Sequence, residues 1–109
     1  MTVRELMAHL PLTPLALVDE EREVKGVYTG DLLSWVMGRA KPDQALVTIM
    51  TNVNVVAVAS LLDLSMVAIC DSAMPDQSVI DTAKAKEVNL FSFNGTAYEL
   101  CAKLSQLGL

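Results

Sequence analysis

The side chains able to do chemistry in this sequence gather at four short polar breaks that follow apolar runs. Gly30 and Asp31 come after Val27-Tyr28, and Thr51, Asn52 and Asn54 come after Leu46 to Met50. Asp71 and Ser72 follow Met66 to Cys70, and Ser92, Asn94 and Gly95 follow Leu90-Phe91. The inventory is amides, hydroxyls and two carboxylates, which suits holding a polar small molecule. If helices begin at these breaks, their free N–H groups can also receive an anion. Acid–base catalysis near neutrality wants a side chain that titrates there, and the one histidine, His9, lies far away in sequence. No phosphate-binding GxxxxGK[ST], dinucleotide GxGxxG or Ser-His-Asp set is present, so no catalytic residue is assigned and the chain is not expected to be an enzyme. Cys70 and Cys101 lack CxxC spacing and sit in apolar contexts, so they read as buried reduced thiols. Neither metal nor cofactor is expected. The ligand-binding candidates are Gly30, Asp31, Thr51, Asn52, Asn54, Asp71 and Ser72. Each has a structural role open to it as well: Asp31, Asn52 and Thr96 as helix N-caps, Gly30 as a turn residue, Asp71-Ser72 as ordinary loop polarity.

The elements that position these breaks follow from periodicity. Thr2 with Glu5 forms a capping box ahead of Val3, Leu6, Met7 and Leu10, predicting a helix over 3–9 that Pro11 ends. Leu15 to Val18 and Val24 to Tyr28 predict strands, separated by an acidic run that reads as a solvated turn. Asp31 is expected to cap a helix carrying Leu32, Leu33, Trp35, Val36 and Met37. Then a rhythm sets in: strand Ala45 to Met50, helix 53–62, strand Met66 to Cys70, helix 76–86, strand Val88 to Phe91. A second capping box, Thr96 with Glu99, opens a terminal helix with Tyr98, Leu100, Cys101, Leu104 and Leu107 on its apolar face. Alternating strands and helices with short connections predict βαβ units with right-handed crossovers. The expected fold is an α/β three-layer sandwich, 1–109 as a single domain, with a mostly parallel sheet of about five strands and helices on both faces. In such a sheet ligands bind beyond the carboxyl ends of the strands, near a topological switch point. The four polar breaks are those ends.

Composition narrows the function. The 109 residues are 52% hydrophobic and 19% charged, with mean hydropathy +0.40. That is too apolar for intrinsic disorder. Thirteen acidic against eight basic residues give a net charge of −5, which opposes binding to nucleic acid or to an anionic membrane. The charge-free stretch from Gln44 to Leu62 is about the length of a membrane span, but Thr48, Thr51, Asn52 and Asn54 cluster at its centre, where hydrocarbon penalises them. No secretory leader is visible, so a cytoplasmic location is expected, and the Asn94-Gly95-Thr96 sequon is read as coincidence. The helix over 53–62 is apolar nearly all round, and a helix apolar on every side must be covered on every side. A second copy is the expected cover, through Val55, Val58, Ala59 and Leu62.

The pattern Gly26-Val27-Tyr28-Thr29-Gly30-Asp31-Leu32-Leu33-Ser34, then Val47-Thr48-Ile49 leading into Asn52 to Ala59, then Ile69 to Pro75 and Leu90-Phe91-Ser92, resembles the DRTGG domain family. That family is related to the amino-terminal domain of HPr kinase/phosphorylase. The name-giving residues are replaced: Asn52-Val53-Asn54 stands where the family often has Gly-Asp-Arg, and Asp71-Ser72-Ala73 where it often has Thr-Gly-Gly. The resemblance implies an α/β sandwich, homodimerisation and a regulatory role beside other modules, as in relatives fused to CBS domains in some inorganic pyrophosphatases. It transfers no phosphate contact, because the arginine and glycines are gone. The expected function is a non-enzymatic regulatory or small-ligand sensing domain, for a nucleotide or anion, acting as a homodimer. The alternative is an interaction subunit that docks on a larger enzyme and binds no small molecule.

Overall fold

The three capped helix starts that the sequence marks most strongly are all present. In the computed structural model, which describes Met1–Leu109 throughout, Thr2 and Thr96 each complete a capping box with Glu5 and Glu99. Asn52 caps the third, its side chain accepting from the Asn54 N–H. The chain runs α1 (Val3–His9), β1 (Thr13–Ala16), β2 (Gly26–Thr29), α2 (Leu33–Arg39), β3 (Gln44–Thr48), α3 (Val53–Leu61), β4 (Met66–Ile69), α4 (Gln77–Ala85), β5 (Leu90–Ser92) and α5 (Ala97–Gln106). The five strands form one sheet in the order β1-β5-β4-β3-β2, with β1 antiparallel to β5 and the rest parallel.

The pleat divides the core in two. Along β3, Leu46 faces one side while Ala45 and Val47 face the other; along β4, Val67 and Ile69 oppose Met66 and Ala68. The first side is covered by α2, α3 and α4 through Val36, Val55, Val56, Ala59, Val79 and Ala83. The second is covered by α1 and α5 through Val3, Leu6, Leu100 and Leu104, closing over Phe91. Strands buried on both faces read as continuous apolar runs, which is why β3 and β4 carry so much of the hydrophobic surplus. The result is an α/β sandwich with a mixed, mostly parallel sheet.

Three expectations shift. The first strand lies at Thr13–Ala16 and not at Leu15 to Val18, taking in Pro14. An edge strand tolerates the missing N–H, and the β1–β5 register slips between Pro14 and Ala16. Asp31 does not cap α2; Leu32 holds that place with no side-chain bond, because the Asp31 carboxylate is engaged with β3. Val55, Val58 and Ala59 are buried inside this chain, leaving almost no surface for a second copy, and Leu62 is partly buried against the same core. Between α2, α4 and the sheet, α3 is covered on three sides. What it leaves outside is the apolar stripe Val53, Ala57 and Leu61, together with Asn54 and Ser60.

Candidate functional site: the carboxyl edge of the parallel strands

The crossovers β2-α2-β3, β3-α3-β4 and β4-α4-β5 all step the same way and keep their helices on one face. The switch comes at β5, whose following helix α5 lies on the other face. Loops leaving β4 and β5 therefore diverge, which is where an open sheet usually offers a crevice. Here the protein's own backbone fills it. Asp71 N–H donates to Gly95 O at 2.8 Å and Ser72 N–H to Phe93 O at 3.2 Å, and Ser72 Oγ lies 3.3 Å from Asn94 Oδ1. Asp71 and Ser72 have φ of 60° and 56°, and Ala73 N–H closes back on Cys70 O at 3.1 Å. Two consecutive left-handed residues closed in this way are the pattern of a type I′ turn, which glycine or asparagine adopts more readily. Gly95 is required by close approach, since a Cβ there would come within 2.6 Å of the Phe93 ring.

At the outer end of the edge, Asp31 ties β2 to β3. Its Oδ1 accepts from Thr48 Oγ1 at 2.9 Å and from Ile49 N–H at 2.9 Å. Thr48 is fully buried, and its oxygen accepts in turn from Met50 N–H at 3.2 Å. Thr29 Oγ1 and Gly30 N–H both donate to Val47 O. The Gly30–Asp31 segment is thus a staple, with Gly30 N–H and Asp31 Oδ1 spent on the fold.

The open space lies between these two. A cavity of about 350 Å³ separates the start of α3 from the start of α4, lined by Thr51, Asn52 and Val53 on one side and Met74, Asp76, Ser78 and Val79 on the other. Of the seven candidate residues, then, Thr51 and Asn52 reach the cavity. Gly30 and Asp31 form the staple, Asp71 and Ser72 fill the switch crevice, and Asn54 is exposed on α3. Sequence reading missed Met74, Asp76 and Ser78. The polar run Asp71 to Asp76 marked their loop, but only the fold shows that its far end and not Asp71-Ser72 faces Asn52. Asp76 occupies the N-cap position of α4 without bonding the helix, so its carboxylate is free to face a ligand. Val53, Met74 and Val79 give the cavity an apolar part, and Thr51, Asn52, Asp76 and Ser78 a polar part of hydroxyl, amide and carboxylate groups. Its walls hold one carboxylate and no cation.

Burial, reinforced by the Asp71 carboxylate, pushes the Cys70 thiol up to about 12, where it stays protonated. His9 sits at the end of α1 with Nδ1 2.8 Å from Glu5 O.

A larger groove of about 620 Å³ opens at the opposite, amino edge. Its rim holds Arg22, Lys84 and Lys86 against Asp19, Asp63 and Glu87, and its floor holds Ser65 and Asn89. The floor is saturated: the Asn89 amide accepts from Val18 and Asp19 N–H and donates to Asp19 O and Ser65 O, and Ser65 Oγ donates to Glu23 O. Arg22 bridges Asp43 at 2.9 Å and Asp63 at 3.1 Å. Burial works to lower the Arg22 pKa, but the hydrogen bonds and charges of the two aspartates outweigh it and the net shift is upward. The Arg22 bond holds the Asp43 carboxyl below its ordinary value. This groove is a seam that locks the β1–β2 connection onto the sheet. Its key residue, Arg22, lies in the acidic run that reads as a solvated turn.

No protein-family model matches this sequence, and no curated protein matches it. Among solved structures, the chain superposes on the CBS and DRTGG domains of the regulatory region of Clostridium perfringens pyrophosphatase, complexed with the activator diadenosine tetraphosphate. The TM-score is 0.73 over 94% of this chain, at 11% identity. This chain spans 46% of that one, about half its length. The likeness establishes a shared fold. No helix here is long and apolar enough to cross a membrane.

Proposed function

We propose that this chain is a non-catalytic regulatory module of the cytoplasm, one domain acting as a homodimer, that senses a nucleoside-containing ligand at the carboxyl edge of its sheet. The observation that carries the reading is the cavity between Thr51-Asn52-Val53 and Met74-Asp76-Ser78. Its volume falls within the range of small-molecule sites, roughly 300–1,000 Å³. Val53 and Met74 offer apolar faces to a ring, while Asn52, Ser78 and Asp76 offer donors and acceptors to its edge or to a ribose. Support of a different kind comes from the fold, which this chain shares with part of a regulatory region solved with a dinucleotide activator.

The test is a thermal-shift and calorimetric titration with adenosine, AMP, ATP and diadenosine tetraphosphate. A ligand that binds only the folded chain stabilises it by RT ln(1 + [L]/Kd), about 2.7 kcal/mol at a hundredfold excess over Kd. A saturable shift lost in Ser78→Ala or Met74→Ala supports the site. The absence of any shift refutes it and favours the second reading, an interaction subunit docking on a larger enzyme. That reading has its own observation in the exposed apolar residues of α2, Leu32 and Trp35.

A further inference from the structure

The two edges of the sheet are built differently. At the β1 edge, Pro14 interrupts the strand's donors and the pairing register slips. Proline and irregularity are ways natural sheets stop an edge from pairing with another chain. At the β2 edge none of these is present: Gly26–Thr29 pairs with β3 on one side, has no strand on the other, and contains neither charge nor proline. Beside it lies α2, the outermost helix of its face. Leu32 at its N-cap, with Trp35 and Arg39 at i+3 and i+7, lies along one flank of that helix. With a right-handed β2-α2-β3 crossover, α3 occupies the other flank and this stripe overhangs the open edge. Leu32 is 59% and Trp35 54% exposed, and the Arg39 guanidinium lies 3.7 Å from the centroid of the Trp35 ring with no carboxylate paired to it.

We infer that the β2 edge and the Leu32–Trp35–Arg39 stripe form the interface between two copies of this chain, joined about a two-fold axis into a continuous ten-stranded sheet. This rests on the reading of the chain as a homodimer and specifies the surface. A two-fold makes β2 pair antiparallel with its own copy, so that every open donor meets an open acceptor, an isologous contact. It also lays α2 antiparallel to its copy. The start of the helix, where Asp31 stands, then faces the end of the other, where the unpaired Arg39 stands, and the charges complement each other twice. The Val53–Ala57–Leu61 stripe of α3 offers neither a strand edge nor a matching charge, and so serves as the control.

Trp35 is the only tryptophan, which makes its emission a reporter of this surface. The experiment combines light scattering with fluorescence on serial dilution. Wild type is expected at twice 11.8 kDa, its emission shifting to the red as dilution separates the copies. Trp35→Glu and Arg39→Glu are each expected to weaken the dimer at least ~30-fold, the effect of losing an interface hot spot, while Leu61→Glu leaves it intact. Circular dichroism verifies folding, and Arg39→Glu, a change at the exposed end of α2, stands in if Trp35→Glu unfolds the chain. A wild type that is monomeric at 100 µM overturns both the dimer and the surface. A dimer that dissociates with no change in emission, or that yields to Leu61→Glu and not to the α2 variants, overturns the surface and leaves the dimer standing.

Discussion

Removing the Asp31 carboxylate separates a structural staple from a ligand contact, and the geometry fixes how much should be lost. Oδ1 of Asp31 takes two hydrogen bonds, from Thr48 Oγ1 and Ile49 N–H, both at 2.9 Å. In Asp31→Ala the two donors fare differently. Ile49 is exposed, so its N–H turns to water, and the loss is about 0.5 kcal/mol. Thr48 is fully buried; its hydroxyl still accepts from Met50 N–H but its own proton has no acceptor, a loss of about 1.5–2.5 kcal/mol. The sum is about 2–3 kcal/mol, which in a chain of this size lowers Tm by roughly 8–12 °C. Asp31→Asn keeps the acceptor oxygen and should cost less than about 1 kcal/mol. A double-mutant cycle with Thr48→Val isolates the pair, with an expected coupling of about 1–1.5 kcal/mol. Urea unfolding measures all four corners. If Asp31→Ala and Asp31→Asn fall together, or if Ala leaves Tm within about 2 °C of wild type, the staple argument is wrong.

Three further outcomes are expected. Asn89→Ala strands two backbone N–H and two carbonyl groups around a side chain that is 2% exposed; it should cost about 3 kcal/mol in urea unfolding and raise proteolysis in the 17–22 connection. Because Arg22 lowers the folded pKa of Asp43, the stability this pair contributes is present above the unfolded carboxyl value of about 3.9 and is lost as pH falls through the lower folded value. Stability curves of wild type and Asp43→Asn should therefore be separated at pH 6 and converge below pH 4. The Cys70 thiol, buried and raised to about 12, should resist a thiol reagent at pH 8 in the native state, while the partly exposed Cys101 is modified. Equal labelling of the two would contradict the burial of Cys70 in the core beneath α1 and α5.

How much of this was legible beforehand depended on whether the deciding interaction was local. Capping boxes are contained within four residues, so Thr2-Glu5 and Thr96-Glu99 announce α1 and α5 directly. The β-branched and aliphatic runs at 45–50 and 66–70 read as buried strands, which the fold places at 44–48 and 66–69, and alternation with helices then dictates the layers. Asp31 was misread because its partner, Thr48, comes seventeen residues later; an aspartate ahead of an apolar helix looks like a cap until β3 is laid beside it. Arg22 was hidden for the same reason, its partners Asp43 and Asp63 being twenty-one and forty-one residues on.

The candidate site shows the same division and explains why its centre moved. Strand ends are a local property, so the edge itself was readable, and Thr51-Asn52 lie on the cavity as a loop after β3 should. Which loops face each other is a property of topology. The switch to α5 sends the β4 and β5 loops apart, and in this chain the gap is closed by Asp71 and Ser72 bonding to Phe93 and Gly95. With that crevice occupied by backbone, the remaining opening falls one strand over, where α3 and α4 start side by side and Met74, Asp76 and Ser78 come opposite Asn52. A polar residue at a strand end therefore counts toward a site only after the fold's own hydrogen bonds have taken their share: Asp31 Oδ1, Asn52 Oδ1 and the backbone N–H groups of Asp71 and Ser72 are spent, while Asp76, Ser78 and the rest of the Asn52 amide border open space.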